Sequence, residues 1–297
     1  PKSIKNPVEV ENERIAHIKD GVALTKFICW LKKNVGRIPM TELSAGEKLY
    51  SFRAQQENFI GNSFDPIISY GIHAAINHYS ATPETDIAIE PGNFLLADTG
   101  GHYYEGTTDT TRTIVMGSVN DEQKKYFTAV LRGMLNLGNA KFRYGCTGVN
   151  LDYLARGPLW EMGQDFNHGT GHGVGYLLNV HEGPNSFRWR IIQGDNAVLE
   201  EGMITSDEPG YYVENQYGIR HENLLVCKKA EKTTFGQFMC FEHLTMVPFD
   251  LDAVVPELMT VQERALLNNY HAQVYKKISP YLEEEEKEWL KEATREI

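Results

Sequence analysis

Behind Asn6-Pro7, an N-cap followed by proline at the first helical position, Ile15, Ile18, Val22, Leu24, Phe27 and Leu31 recur at helical spacing. This predicts a long amphipathic helix running to about residue 33. Thr41 can cap a second helix through roughly residue 59, and Asn120 with Asp121 and Glu122 starts a third that ends before a turn at Gly145. A fourth is expected over 147–162. Between and after them lie β-rich stretches at 93–97, 103–113, 197–206, 217–227 and 244–249. Helices come in two groups, each followed by strands, so the order αα–ββ occurs twice and the fold class is α+β.

The repetition extends to the residues. NFLLADTGGHYYEGTTDTTR at 93–112 and GMITSDEPGYYVENQYGIRHE at 202–222 each hold an apolar strand, an acid, a glycine turn, a Tyr-Tyr pair, a second turn, and then Arg beside an acid. An internal duplication accounts for this economically, with two halves related by a pseudo-two-fold axis. After about Leu251 the texture changes to helix, with a glutamate run at 283–286 that reads as a solvated helix face without chemistry.

Composition narrows the classes. With 297 residues and 41% apolar side chains the chain can bury a sizeable core. A net charge of -11 opposes non-specific binding to nucleic acid or to an anionic membrane surface. Cys29, Cys146, Cys227 and Cys240 form no CxxC pair, so neither a zinc ribbon nor a disulfide framework is implied, and reduced thiols in a cytosol are expected. No segment approaches a membrane-spanning apolar run, and the first residues carry no signal-peptide core.

Four acids fall at the ends of the two hairpins: Asp98 and Asp109 in the first, Glu208 and Glu222 in the second. If the halves pack face to face, these carboxylates converge. Two ionised carboxylates about 4 Å apart repel by several kcal/mol at an effective dielectric near 20, so four together demand protons or cations. Oxygen-rich ligation with one imidazole suits Mn²⁺, Co²⁺ or Zn²⁺ and poorly suits a closed structural zinc site. Two divalent cations are expected, manganese first, with zinc or cobalt as alternatives. The imidazole should come from HGTGHGVG at 168–175, where glycines let the backbone approach closely.

Taken together, LLADTG and TTDTTR, HGTGHGVG and NVHEGP, SDEPGYY, and GIRHEN resemble the Xaa-Pro aminopeptidases (aminopeptidase P) of the pita-bread metallopeptidase superfamily. The resemblance covers about residues 4–248, and the tail looks like the C-terminal extension of the cytosolic, three-domain branch. It implies a curved antiparallel sheet at the centre of two pseudo-symmetric halves, with 1–250 as catalytic domain and 251–297 as helical extension. It also implies that Asp98 chelates one metal, that His172 and Glu208 hold the other, and that Asp109 and Glu222 bridge the two. A water shared by two cations roughly 3.5–4 Å apart would then become the nucleophile on the bond before proline, with Glu208 as general base and then acid. His78, in INHYSAT, and His181 match histidines that contact the substrate and stabilise the oxyanion. His168 matches one bordering the proline pocket, and Arg220 is expected to orient the ligands.

The nearest rival is a prolidase, which cleaves Xaa-Pro dipeptides with the same ligands. HGTGHGVG with NVHEGP resembles the aminopeptidase branch more closely. A methionine aminopeptidase fits less well in spacing around His172 and His181. A metal-free peptide-binding module or a creatinase-like hydrolase is disfavoured because all five ligand positions carry ligating residues. Relatives in that branch carry two domains ahead of the catalytic one, so this chain, starting at Pro1, is expected to be the catalytic piece of a longer, cytosolic, homodimeric protein acting on peptides with proline second.

Overall fold

A computed structural model describes residues 2–297. The first half contains α1 (Pro7–Asn34), α2 (Glu42–Arg53), β1 (Phe59–Asn62), β2 (Ile67–Tyr70), β3 (Asn93–Thr99), β4 (Gly101–Tyr103), β5 (Gly106–Thr107) and β6 (Thr110–Met116). The second contains α3 (Asp121–Gly138), β7 (Lys141–Arg143), α4 (Tyr153–Trp160), β8 (Gly171–His172), β9 (Ser186–Phe187), β10 (Ile204–Asp207), β11 (Gly210–Val213), β12 (Tyr217–Arg220), β13 (Asn223–Thr233) and β14 (Gly236–His243). Helices α5 (Val261–Ile278) and α6 (Glu284–Ala293) complete the chain.

The helix starts follow the caps. Asn6 accepts from the Val8 and Glu9 amides, Thr41 from Ser44, and Asn120 from Gln123, each satisfying amides that have no partner inside the helix. Helix α2 ends at Arg53 rather than near 59, because Arg53 turns inward to pair with Asp20 and Phe59 enters β1 to pack on Tyr103. Over 147–162 the chain forms a 3₁₀ turn at Gly148–Asn150 before α4. Helix α1 is not the one-sided helix that its spacing predicts. Glu13, His17 and Asp20 are buried alongside Ala16, Val22, Leu24 and Phe27, while Ile15 faces solvent.

In both halves a long antiparallel strand pair is interrupted by a small hairpin. Strands β3 and β6 pair with Asp98 opposite Thr111, and β4–β5 lies between them. Strands β10 and β13 pair with Asp207 opposite Asn223, and β11–β12 lies between them. The halves meet along a seam where the Glu222 amide donates to the Thr111 carbonyl at 3.1 Å and the Arg220 amide donates to Thr113 Oγ1 at 3.0 Å. This seam carries all four hairpin acids to one place.

The expected strand at 244–249 does not form, and the one beside β13 is β14. Leu244, Met246, Val247 and Phe249 are buried, but side chains satisfy part of the 244–249 backbone. The Val247 amide donates to Tyr270 Oη and the Phe249 amide to His271 Nε2. Arg112 donates to the carbonyls of Val247, Pro248 and Glu222, and its guanidinium lies 3.9 Å from the centre of the Phe249 ring. Likewise, only 204–207 of the expected 197–206 strand is paired as one.

One apolar core joins β3, α3 and the C-terminal helices through Phe94, Phe127, Leu131, Leu267, Val274 and Leu290. Each such side chain contributes roughly 1.5–3 kcal/mol when fully buried. The glutamate run is not merely solvated, since Glu285 pairs with Lys33 at 2.7 Å and Glu286 with Lys26 at 3.4 Å, fastening α6 to α1. The four cysteines are free, and among the described residues no helix is long and apolar enough to cross a membrane.

Candidate metal centre

Asp98 closes β3, Asp109 precedes β6, Glu208 follows β10, and Glu222 sits between β12 and β13. The segment bearing His172 runs beside β10: the Glu208 amide donates to the Thr170 carbonyl at 2.8 Å, and the His172 amide donates to Ser206 Oγ at 2.9 Å. Gly171 permits this approach, since a Cβ there would run into the Ser206 carbonyl.

Ligating atoms of Asp98, Asp109 and Glu222 lie within 4.8 Å of one another, and so do those of His172, Glu208 and Glu222. Asp109, His172 and His181 form a third such set, with the rings of His172 and His181 centred 4.1 Å apart. His172 Nδ1 faces the Gly173 carbonyl at 3.0 Å and therefore carries the proton, which leaves Nε2 toward Asp109 Oδ2 at 3.4 Å and Glu208 Oε1 at 3.5 Å.

The charge balance is that of a site lacking positive charge. Burial, with Asp109, Glu208 and Asp98 alongside, holds the Glu222 carboxyl well above its usual range. Burial pushes Glu208 up to about 7 against the lowering effect of His172 and Arg220, and it raises Asp109 as well. Burial alone would lower His172, but its hydrogen bond to Asp109 and the charge of Glu208 carry it up to about 9. Glu222 Oε2 accepts from Thr111 Oγ1 at 2.8 Å, while its buried Oε1 has no partner among the described residues. An unpartnered buried carboxylate oxygen among three further acids and one imidazole fits a pair of divalent cations.

A cavity of about 570 Å³ opens over these groups and is also lined by His78, His168, His181 and Arg220, so all nine residues singled out from the sequence face one space. Arg220 donates to Asp98 Oδ2 at 2.6 Å and to Tyr212 Oη at 2.8 Å, and Tyr212 in turn lies 2.8 Å from His168 Nε2. His168 Nδ1 points to the Gly169 carbonyl at 2.8 Å, so both of its nitrogens are engaged. Burial and Arg220 drive its pKa down to about 3, and burial with His172 and His78 takes His181 down to about 4. Both rings are neutral at pH 7. Sequence reasoning did not single out Thr111, Ser206 or the role of Tyr212. The second tyrosine of the repeated pair was the one available signal.

A duplicated α+β sheet with its polar cavity at the seam is the pita-bread fold. The sequence profile of Metallopeptidase family M24 matches residues 11–229, and that of the C-terminal region of peptidase_M24 matches residues 237–297. The chain belongs to metallopeptidase family M24. It is 43% identical over 303 residues to the protein described as Probable Xaa-Pro aminopeptidase P of Paracoccidioides brasiliensis, covering 100% of this chain and 49% of that protein. The X-prolyl aminopeptidase of Caenorhabditis elegans, described as a cytosolic enzyme with a di-nuclear active site, matches with a TM-score of 0.94 at 38% identity, covering 100% of this chain and 49% of that one. The prolidase of Pyrococcus furiosus matches with a TM-score of 0.65 at 29% identity over 82% of this chain and 65% of that one. The chain thus spans about half the length of the curated relatives it matches.

Proposed function

We propose that this chain is the catalytic part of an Xaa-Pro aminopeptidase, a hydrolase that cleaves the bond between an N-terminal residue and a following proline. The observation that carries this is the convergence of Asp98, Asp109, His172, Glu208 and Glu222 in one cavity with Glu222 Oε1 left without a partner. The closer likeness to the nematode X-prolyl aminopeptidase than to the archaeal prolidase supports the aminopeptidase reading.

On this reading Asp98, Asp109 and Glu222 would hold one divalent cation and His172, Glu208 and Glu222 with Asp109 would hold a second. Such ions, manganese first, would supply a Lewis acid and an activated water. Glu208 takes a proton from that water and returns it to the departing proline nitrogen. A proline amide has no N–H, so recognition rests on shape and on that protonation. His181 and His78 line the cavity as donors for the charge developing on the carbonyl oxygen. The ring of His168 is fixed by Tyr212 and borders the proline, and Arg220 fixes Asp98. Residues 1–250 carry every one of these groups, with 251–297 bracing them, in a protein we take to be cytosolic and homodimeric.

Turnover of an Xaa-Pro-Xaa tripeptide against an Xaa-Pro dipeptide tests the assignment. Preference for the tripeptide is expected, preference for the dipeptide makes the chain a prolidase, and turnover of neither with Mn²⁺ bound makes it a binding module.

Metal should stabilise as well as activate, and increasingly so with pH. In metal-free protein His172 titrates near 9 against an ordinary 6.5, so the stability its proton provides is complete below 6.5 and lost as pH rises through 9. Glu208, raised from 4.5 to about 7, acts in the same direction over its own window. The buried neutral His168 and His181 oppose this only below 6.5. Metal-free melting temperature is therefore expected to fall from pH 6.5 to 9. The rise on adding Mn²⁺, about 2.7 kcal/mol per ion at 100 times its Kd, should grow over the same interval. Thermal scans at several pH values with and without Mn²⁺ check this, and a gain that is flat or declining would contradict it.

A further inference from the structure

His78 stands on an irregular limb that reaches the cavity, with its backbone in the left-handed region at φ 60. For a residue with a Cβ that conformation is disfavoured by the crowding of Cβ against the following carbonyl oxygen, so neighbouring contacts must hold it. They converge on a single buried carboxylate 36 positions earlier in the chain, at the start of α2.

Glu42 is 1% exposed. Its oxygens accept from the Tyr70 amide at 2.7 Å, from His73 Nδ1 at 3.0 Å and from Tyr79 Oη at 3.2 Å, three donors from the segment that leads into and just past His78. The rings of His73 and Tyr79 stack with centroids 4.2 Å apart, flanking the turn on which His78 sits. Tyr79 Oη is also within donating distance of Thr85 Oγ1, at 3.1 Å. The returning limb is tied to the same helix turn, since the Glu42 amide donates to the Ile87 carbonyl at 3.2 Å and the Leu43 amide to Asp86 Oδ1 at 3.1 Å. The Glu42 carboxylate itself caps no amide of the helix. Thr41 and Ser44 already close the capping box of α2, so the Glu42 side chain is free of that duty.

We propose that Glu42 is a positioning residue for His78, acting through His73 and Tyr79 as a latch that keeps the imidazole over the reacting carbonyl. This rests on the aminopeptidase reading for what His78 does, but not for what holds it. A carboxylate suits the task because it only accepts, and the Tyr70 amide, His73 Nδ1 and the Tyr79 hydroxyl can all donate to it. Glutamine at this position keeps the size and leaves the capping box intact, but it offers one acceptor oxygen where the carboxylate offers two, which weakens the latch.

Hydrogen–deuterium exchange and kinetics together test this with Glu42→Gln, Tyr79→Phe and His78→Ala. In Glu42→Gln the amides over 70–80 should exchange faster while the rest of α2 stays protected. Turnover number should fall about tenfold or more, the scale of a misplaced catalytic group, with KM and Mn²⁺ affinity within about twofold. Combining Glu42→Gln with His78→Ala should be no slower than His78→Ala alone, because the latch acts only through His78. Multiplying penalties in the double variant, or unchanged exchange over 70–80, would overturn the proposal. Should Glu42→Gln loosen the whole chain, Tyr79→Phe decides, with faster exchange confined to 70–80 supporting the latch and unchanged exchange removing it. If the unaltered chain cleaves no peptide, the reading of function fails and the exchange result alone decides this one.

Discussion

Glu208→Gln is expected to lose turnover of an Xaa-Pro-Xaa tripeptide by roughly 10³-fold or more, since general acid–base transfer alone is worth about 10²–10⁴. An amide carries no exchangeable acid proton and ligates weakly, so both roles assigned to Glu208 fail in one substitution. The neighbouring contacts should survive, because Ser206 Oγ can donate to an amide oxygen as it does to Glu208 Oε1 at 3.2 Å. His181→Ala provides the contrast. A lost oxyanion donor costs about 10²–10³ in kcat, with Mn²⁺ affinity intact if His181 contacts substrate only. Its ring nitrogen is also within ligating reach of Asp109 and His172. Isothermal titration of Mn²⁺ into His181→Ala therefore separates a substrate contact from a metal ligand, and loss of binding there would move His181 into the ligand set.

Arg53→Ala should be among the most destabilising single substitutions away from the cavity. Arg53 Nε donates to Asp20 Oδ1 at 2.7 Å and its Nη2 to Thr99 Oγ1 at 2.8 Å, and the two charged side chains are 1% and 2% exposed. Tyr103 Oη donates to the same Asp20 oxygen at 2.9 Å. Removing the guanidinium leaves a buried carboxylate with one neutral donor, a loss of about 3–5 kcal/mol. At roughly 2–4 °C per kcal/mol in a chain of this size, the melting temperature should drop about 6–20 °C. Because Thr99 follows Asp98 in β3, weaker metal binding should accompany the drop. A paired Asp20→Leu, Arg53→Met variant should recover much of the stability, since two apolar groups need no counterion. If the double variant is as unstable as Arg53→Ala, the loss comes from packing rather than from the stranded charge.

What could be read from the sequence was what local chemistry decides. Asn6, Thr41 and Asn120 announce helix starts because each supplies a cap that acts within three residues of itself. The hairpin acids were legible because duplication printed the same order of acid, glycine and tyrosine twice. Element ends set by distant partners were not legible. Nothing near Arg53 signals that Asp20, 33 residues earlier, will end the helix there. Residues 244–249 carry a strand-like apolar pattern, yet Tyr270 and His271 of a later helix take the amides of Val247 and Phe249. The nine site residues were found because they are chemically conspicuous types in glycine-rich company. Thr111 and Ser206 do their work at the same atoms, but as ordinary hydroxyl residues among other small polar strand residues they give no sign of it.

The seam between the halves has a consequence for how the molecule is assembled. Asp98 and Asp109 belong to one repeat and His172, Glu208 and Glu222 to the other, with the Thr111–Glu222 contact as their junction. On the proposed assignment neither repeat supplies the whole ligand set. Each can collapse around its own apolar clusters through short-range pairings, but the closure that joins them spans more than a hundred residues of sequence, the kind of contact that forms late in folding. On the proposed ligand assignment, cation affinity would be a readout of docking between the two repeats, and an ion that bound tightly only to the docked pair would act as the clasp between them.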